Sequence, residues 1–548
     1  MVNNKNFTLT VVLIFAAAMF SNNLITDTSS PTGKQIQSPE IDYYICDCAE
    51  GAHPNCIPGD DSNSGTSVNS PWRTWNKART KFNNLNPGET IAFCRGGAFD
   101  TRGAPGNERR WNNDKCEANK RCTITAYSSK WGGSTAEPIV TSDNIVFNLA
   151  KSGHEEGYNI LNLNLKGEEV GSAIFLMDQI TDVTLDNLKI DGFLRAVQVA
   201  GDATGIERIY LKNSRILNNG DQGWVGGCKE CIIKNNYFEN NGFINPILDH
   251  SIYFSGENGD SDNSIIANNE IYHSNSNEDG LCDGTSLVVH GNIKNLTIER
   301  NYFHENESDN GCWGISVNAK YAIHDEQFDN LIIRGNRLIN MGAKSIGCES
   351  CTNSIIENNL IISNSEGYSV TGIEIPNQIE SPDDISTRNV QVRGNTIYFG
   401  QNTRGTGIYL GDEFNNPEEG GEFISTNNIV YYEGTNNDFK CFTYDLPLNY
   451  YTEIDNNICY TPNAPNSKWV GGLQEYQTLA EWQTNTNFGD NSLNTDPFLS
   501  NPPENLHLRA TSPAIDAGHP IYSSTEDYDK QPRIPPADIG ADEYYYPQ

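Results

Sequence analysis

Six short segments in the middle of the chain carry the residue types that cleave or grip sugars. They read HSIYFSG from His250, TSLVVHG from Thr285, WGISVNA from Trp313, KSIGCES from Lys344, TGIEIPN from Thr371 and TGIYLGD from Thr406. Aligned on Ile252, Leu287, Ile315, Ile346, Ile373 and Ile408 as buried positions, strand alternation sends two residue sets outward. One set is Tyr253, Val288, Ser316, Gly347, Glu374 and Tyr409, and the other is Ser255, His290, Asn318, Glu349, Pro376 and Gly411. If the segments stack, this is one polar, partly aromatic strip. Two chemistries fit it. In β-elimination a base removes the proton α to a uronate carboxylate, whose charge must be offset. His290 or Lys320 is the candidate base, Tyr253 the acid, and Asn318 or a bound Ca²⁺ the neutraliser. His250, Trp313, Ser316, Glu349, Glu374 and Tyr409 are candidate substrate-binding residues. Glycoside hydrolysis needs two carboxylates instead. Glu349 and Glu374, one rung and two residues apart, come to roughly 8 Å between backbones, within the ~6.5–9.5 Å of an inverting pair.

His250, His273, His290, His304 and His324 all fall in this part of the chain. Most read as turn or packing residues, and His290 stands out because alternation points it outward. The inserts SGENGDSDN, SNSNEDGLCDG and NAKYAIHDEQFDN would wall the strip into a groove. Two acidic loops beside it, Glu257 to Asn263 and Glu278 to Asp283, make Asp260, Asp262, Asp279 and Asp283 candidate calcium ligands. Neither loop has the spacing of an EF-hand, and a solvated acidic turn is the competing reading.

What must position these residues is a repeat. An apolar, polar, Asn/Gly phrase recurs as LDNLKI from Leu185, LKNSRI from Leu211, IKNNYF from Ile233, IANNEI from Ile266 and IERNYF from Ile298. It continues as IRGNRL from Ile333, IENNLI from Ile356, VRGNTI from Val392, STNNIV from Ser425 and IDNNIC from Ile454. Spacing runs from 22 residues (Leu211 to Ile233) to 36 (Ile356 to Val392), the mark of a strand solenoid with variable inserts. The second residue of each phrase is mixed and mostly polar, from Asp186, Lys212 and Lys234 to Thr426 and Asp455, so it should face solvent. The asparagines at the third and fourth places read as turn residues or inward side-chain ladders.

Composition agrees with an exported solenoid. The chain has 548 residues, 48 of them glycine, and only 20% charged. Lys5 followed by an apolar run from Leu9 to Phe20 marks residues 1–21 as a signal peptide, too short to span a bilayer, with a disordered lead over 22–40. No other segment is apolar enough to cross a membrane. The fourteen cysteines fit an oxidising compartment. The competing zinc site would join Cys228-x-x-Cys231 to Cys348-x-x-Cys351, but four rungs separate the pairs, roughly 19 Å at strand spacing, too far for one tetrahedral ion. Close staples are expected there, and bridges from Cys282 to Cys312 and from Cys441 to Cys459 across consecutive rungs. A net charge of −34 excludes nucleic acid and anionic membranes as partners and favours a soluble monomer.

The segments IDYYICDC, GDDSNSGTSVNSPWRTWNKART and NPGETIAFCRGG near the N-terminus resemble the opening of secreted right-handed parallel β-helix proteins of the pectin-lyase-like superfamily. Thr74 can cap a short helix through Lys77, Ala78 and Phe82, ended by Pro87-Gly88, which would close the open end of the stack. TDPFLSN, HLRATSPAIDAGHP and PADIGADEYY resemble the closing segment of such proteins; Asp516, Asp538, Asp542 and Glu543 can be read there as an ion site, with capping and salt-bridging the favoured reading. DHSIYF is similar to a recurrent His-Gly-Ile-Tyr stretch of the superfamily. The resemblance implies an all-β fold with an N-terminal cap over 41–125, a parallel β-helix over 126–460 and a closing segment over 461–548. It also implies a polysaccharide partner. Asp-Pro-His, as in mannuronan epimerase-like modules, and Asn-Thr-Asp, as in polygalacturonase-like hydrolases, are both missing, so no catalytic motif carries over. A lyase is the leading expectation; a non-catalytic glycan-binding adhesion β-helix and an inverting hydrolase are the alternatives.

Overall fold

The computed structural model describes residues 40–546 apart from 132–134, 201–204, 257–259, 307–310, 318–325, 365–368, 377–383 and 412–419, and the side chains of 150–153. The expected signal peptide and nearly all of the expected lead therefore lie outside the described residues, as do Asn318, Lys320, His324 and Glu257. Among the described residues no helix is long and apolar enough to cross a membrane.

The chain coils as a parallel β-helix, with three strands to a typical turn, each pairing with its counterpart one turn later. The phrase repeat makes two of the three faces. Its first half gives strands such as Ile265–Ala267, Thr297–Glu299, Ile332–Arg334 and Ile355–Glu357, paired in parallel. Its second half gives Glu270–Tyr272, Tyr302–His304, Arg337–Ile339 and Leu360–Ser363. The third face is built by the strands from Ser172–Asp186 through His250–Gly256 to Lys468–Gly472. Ile233, Ile266, Ile298, Ile333, Ile356 and Val392 are fully buried in the shared core, as period-2 alternation requires.

The two asparagines of the phrase divide the corner between them. The first takes the left-handed conformation that turns the chain, with φ of 58° at Asn235, 53° at Asn268 and 54° at Asn358, and Gly335 and Gly394 take that place at φ 61°. The second points inward. From Asn236 through Asn269, Asn301, Asn336, Asn359, Asn395 and Asn428 to Asn457, each Nδ2 donates to the next Oδ1 at 3.0–3.1 Å. Each Nδ2 also donates to a carbonyl of an earlier turn, as Asn336 does to Ile298 O at 2.9 Å. The expected ladder is present. The phrase's second residue is exposed only in part: Ala267, Glu357, Thr426 and Asp455 are buried. Glu357 pairs with Arg393, its ladder partner on the next rung, at 2.9 Å; at the last two, other chain crosses that face, with Thr426 donating to Tyr522 O and Asn491 to Asp455.

Thr74 caps the helix Trp75–Phe82, accepting from Lys77 N at 3.2 Å. Trp75 packs on Phe93, Phe99, Trp111 and Phe147, and Phe82 on Trp111 and Tyr158. The helix ends at Phe82, ahead of Pro87, with Asn83 as its C-cap. The C-terminal segment runs back along the first phrase corner. Asn456 donates to Ala517 O, Asn427 to Tyr522 O and Asn358 to Glu526 O, while Arg300 pairs with Glu526 at 3.5 Å. Its apolar residues Leu506, Leu508, Ala514 and Ile539 form a second small core with Ile362, Tyr398, Ile429 and Ile458 from the phrase's second face. Asp538 accepts from Asp516 N and Tyr544 N, and Glu543 from Ile534 N and Asp538 N, which are capping roles.

The fourteen cysteines form seven disulfides, including both Cys-x-x-Cys staples and the two inter-rung bridges. Beside the Cys282–Cys312 bridge lies Glu305, buried, with Oε1 accepting from Ser274 N at 2.9 Å. Burial raises its carboxyl from 4.5 to about 8. The folded chain therefore holds this proton to higher pH than the unfolded chain. The group costs nothing below pH 4.5, and its penalty grows as pH rises from there to about 8. Glu305→Gln keeps the Ser274 bond and removes the penalty. The expected outcome is a variant more stable than wild type at pH 8 and equal to it near pH 4.5. The slope removed is at most ~1.4 kcal/mol per pH unit, read from melting temperatures at the two pH values.

Candidate functional site

The six segments that opened the sequence analysis lie on consecutive turns of the third face. Tyr253 pairs with Val288, Val288 with Ser316, Ser316 with Gly347, Gly347 with Glu374 and Glu374 with Tyr409. Ser255 pairs with His290, as expected. Their neighbours Ile252, Leu287, Val289, Ile315, Val317 and Ile346 are fully buried in the core, so the two sets occupy the outer side.

A third set joins them. His250, Thr285, Trp313, Lys344, Thr371 and Thr406 lie two positions before the inward Ile or Leu, where simple alternation would put them inside. Between the two positions sits a small residue that takes an inward place. A Cβ at Gly314 would meet Leu338 at 2.5 Å, and at Gly407 Val430 at 2.6 Å; Ser251 is fully buried. This extra inward residue resets the alternation. Hence Lys344 Nζ lies 2.9 Å from Glu374 Oε1 and 4.2 Å from the centre of the Trp313 ring.

The outer side is not uniformly exposed. His290, Ser316, Glu349, Lys344 and His250 are all buried although they lie on the outer side. Part of the cover is chain returning from an insert. His290 Nδ1 lies 3.1 Å from Glu326 Oε1, and Gly291 N donates to Glu326 Oε2. Glu326 N in turn donates to Asp384 Oδ1 at 2.8 Å. Burial raises the Glu326 carboxyl above its ordinary range. Nδ1 is thus the ring nitrogen that meets Glu326, and Nε2 is the other ring nitrogen. The Tyr253 ring sits 5.3 Å from His290 and 5.7 Å from His250. Thr285 O accepts from His250 Nδ1 at 2.8 Å, and burial pushes this imidazole down to about 4, so it is neutral at ordinary pH. Tyr409 donates to Asp445 Oδ2 at 2.8 Å.

Sequence reasoning missed Glu326, Asp221 and Asp249. Glu326 comes from an insert 36 residues beyond His290, and strand periodicity says nothing about where an insert returns. Asp221 and Asp249 did leave a signal, because DQGWVGG aligns with DHSIYFSG and Gln222 pairs with His250. The two carboxylates thus adjoin on neighbouring turns. Asp221 pairs with Arg195 Nη2 at 2.6 Å, whereas burial, assisted by the charge of Asp221, raises Asp249 to about 6. Gln222 donates to Asp249 Oδ1 at 3.2 Å and Asn245 N to Oδ2 at 2.8 Å. Beside them the exposed side chains of Ile244, Ile247 and Leu248 form an apolar rim.

Asp260, Asp262, Asp279 and Asp283 form no convergent cluster of metal-ligating atoms among the described residues. Asp262 Oδ1 accepts from Lys294 N at 2.7 Å, the task of a turn residue. His304 stacks between Tyr272 and Tyr302 and meets Glu270 at 3.0 Å, on a different face. Glu374 is one half of an ion pair with Lys344 rather than a lone carboxylate.

No family profile matches the chain. A curated relative, lacto-N-biosidase of Bifidobacterium longum subsp. longum, is 23% identical over 352 residues, covering 58% of this chain and 19% of the relative. The chain thus spans 19% of the length of the curated relative it matches. Similar solved structures include a GH136 lacto-N-biosidase from Eubacterium ramulus, at 14% identity, TM-score 0.37 and coverage of 62% of this chain and 67% of that one. Pectate lyase Pel9A is 14% identical with TM-score 0.37, covering 92% and 97%. XylC in complex with xylose is 12% identical with TM-score 0.42, covering 91% and 98%.

Proposed function

We propose that the chain is a secreted carbohydrate-active β-helix that cleaves a cell-wall or matrix polysaccharide on its third face, by β-elimination at a uronate. The observation that carries this reading is the His290–Glu326 pair beside Tyr253: a base oriented by a buried carboxylate, with a phenol on the adjoining turn. His290 Nε2 takes the α-proton, Tyr253 donates to the leaving oxygen, and Glu326 positions the ring. Lys344 lies two turns beyond His290, ~10 Å along the stack, with its charge shared with Glu374; the candidates to offset the uronate carboxylate are Lys320, through its charge, and Asn318, through its amide. Trp313 and Tyr409 offer stacking surfaces for sugar rings. Seven disulfides support an oxidising, extracellular setting.

Inverting hydrolysis is the second reading, and a specific observation favours it. Asp249 is pushed toward its protonated form while its neighbour Asp221 sits in an ion pair, the division of labour that acid and base carboxylates require. The name of the curated relative, a lacto-N-biosidase, points the same way.

One experiment separates them. The protein is incubated with acidic and neutral polysaccharides, with Ca²⁺ or with EDTA. Elimination predicts ultraviolet absorbance from unsaturated uronates, abolished by His290→Ala. Reducing ends without absorbance, abolished by Asp249→Asn and not by His290→Ala, would replace it with hydrolysis. Binding without product would make the chain an adhesion module.

A further inference from the structure

A second cluster of chemistry-bearing side chains lies far from that face, where the strand Asn505–Leu508 meets the C-terminal segment. His507 Nε2, Asp529 Oδ2 and Asp542 Oδ1 all lie within 4.8 Å of one another. His507 Nε2 is 2.6 Å from Asp529 Oδ2 and 3.9 Å from Asp542 Oδ1. We propose that these three atoms bind a divalent transition-metal ion of the zinc–manganese class, which clasps the C-terminal segment to the Asn505–Leu508 strand.

The hydrogen bonds around His507 set its tautomer. Asn505 Oδ1 accepts from His507 N at 2.9 Å, which identifies that atom as the amide oxygen. The same oxygen lies 2.5 Å from His507 Nδ1, so Nδ1 carries the proton. Nε2 is the ring atom left facing both carboxylates. A side-chain oxygen on the far nitrogen is also how proteins orient a metal-bound imidazole.

Asp542 is aimed at the same point. The residue is 8% exposed, its Oδ2 accepts from Leu508 N at 2.7 Å, and its other oxygen is turned to His507. The 3.9 Å from Nε2 to Asp542 is near the ~3.4 Å edge of a tetrahedron with metal–ligand bonds of ~2.1 Å, and Asp529, hydrogen-bonded to Nε2 at 2.6 Å, would draw back by less than about 1 Å to share the ion. One imidazole and two carboxylates suit zinc or manganese better than a soft or a purely oxygen-loving ion. His507 and Asp529 keep part of their surface exposed, leaving room for water to complete the shell.

The test uses the full chain, stripped with EDTA and titrated with ZnCl₂ and MnCl₂ by calorimetry, with bound metal counted after gel filtration. One equivalent is expected, with a rise of several degrees in melting temperature that EDTA reverses. His507→Ala and Asp529→Asn should each lower the affinity at least tenfold, while His290→Ala leaves the stoichiometry unchanged. No bound metal, or one equivalent that survives both substitutions, would overturn the proposal and leave His507 as a doubly protonated bridge. Should a variant fail to fold, anomalous scattering at the zinc edge from wild-type crystals locates the ion directly, and density anywhere else is equally fatal.

Discussion

Replacing His290 by alanine is expected to lower the rate of polysaccharide cleavage by roughly 10²–10⁴-fold, the usual contribution of a positioned base. The melting temperature should also fall, because the buried Glu326 carboxyl loses its partner, so rates are compared well below the transition of the variant. Glu326→Gln is the informative companion. It keeps an acceptor near Nδ1 but removes the charge that orients the ring, so kcat should fall about tenfold with KM unchanged. Glu326→Asp should recover part of the loss. An effect on KM alone would reduce Glu326 to a scaffold for the returning insert. An unchanged rate in His290→Ala would remove this face's base altogether.

The largest effect on stability is expected from the inner asparagine ladder. Asn336→Leu keeps the branched side-chain shape with bulkier methyl ends, yet it strips partners from Ile298 O and from both the backbone N–H and Nδ2 of Asn301. All are sealed from water, and each unmade bond costs about 1–3 kcal/mol, so a loss of about 4 kcal/mol is expected in chemical denaturation. Turns of a solenoid contact mainly their neighbours. The weakening should therefore be local, with faster amide exchange around residues 297–304 and 355–362. Lys234→Ala, at an exposed place in the same phrase, should change stability by less than about 0.5 kcal/mol.

The repeat phrase made the coil legible because its two halves report two faces and its asparagines report the corner between them. The order of Tyr253, Val288, Ser316, Gly347, Glu374 and Tyr409 followed from aligning the segments between the phrases on their inward Ile and Leu residues. Alternation does not place Lys344 and Trp313 beside Glu374, because the small residue at Gly314 or Ser345 occupies an extra inward slot. No local pattern announces such a reset. The covering of His290 was invisible for a different reason: Glu326 and Asp384 belong to inserts, whose return paths are fixed by contacts that a strand period does not encode. Asp221 and Asp249 lay one residue before the aligned segments, within reach of the same alignment extended by one turn.

The C-terminal segment changes how the coil comes apart. Its bonds to Asn456, Asn427 and Asn358 span 61, 95 and 168 residues, whereas neighbouring turns are separated by only a few tens. A plain solenoid can fray from its last turn inward, losing one step at a time. Here the strap ties the last turn to one near Arg300, so none of the tied turns can peel away alone. Unzipping must begin with release of the strap, and that long-range closure also makes it the slowest part to assemble. Resistance to proteases and heat in this half of the molecule is thus set by one detachment event, not by the strength of any single turn.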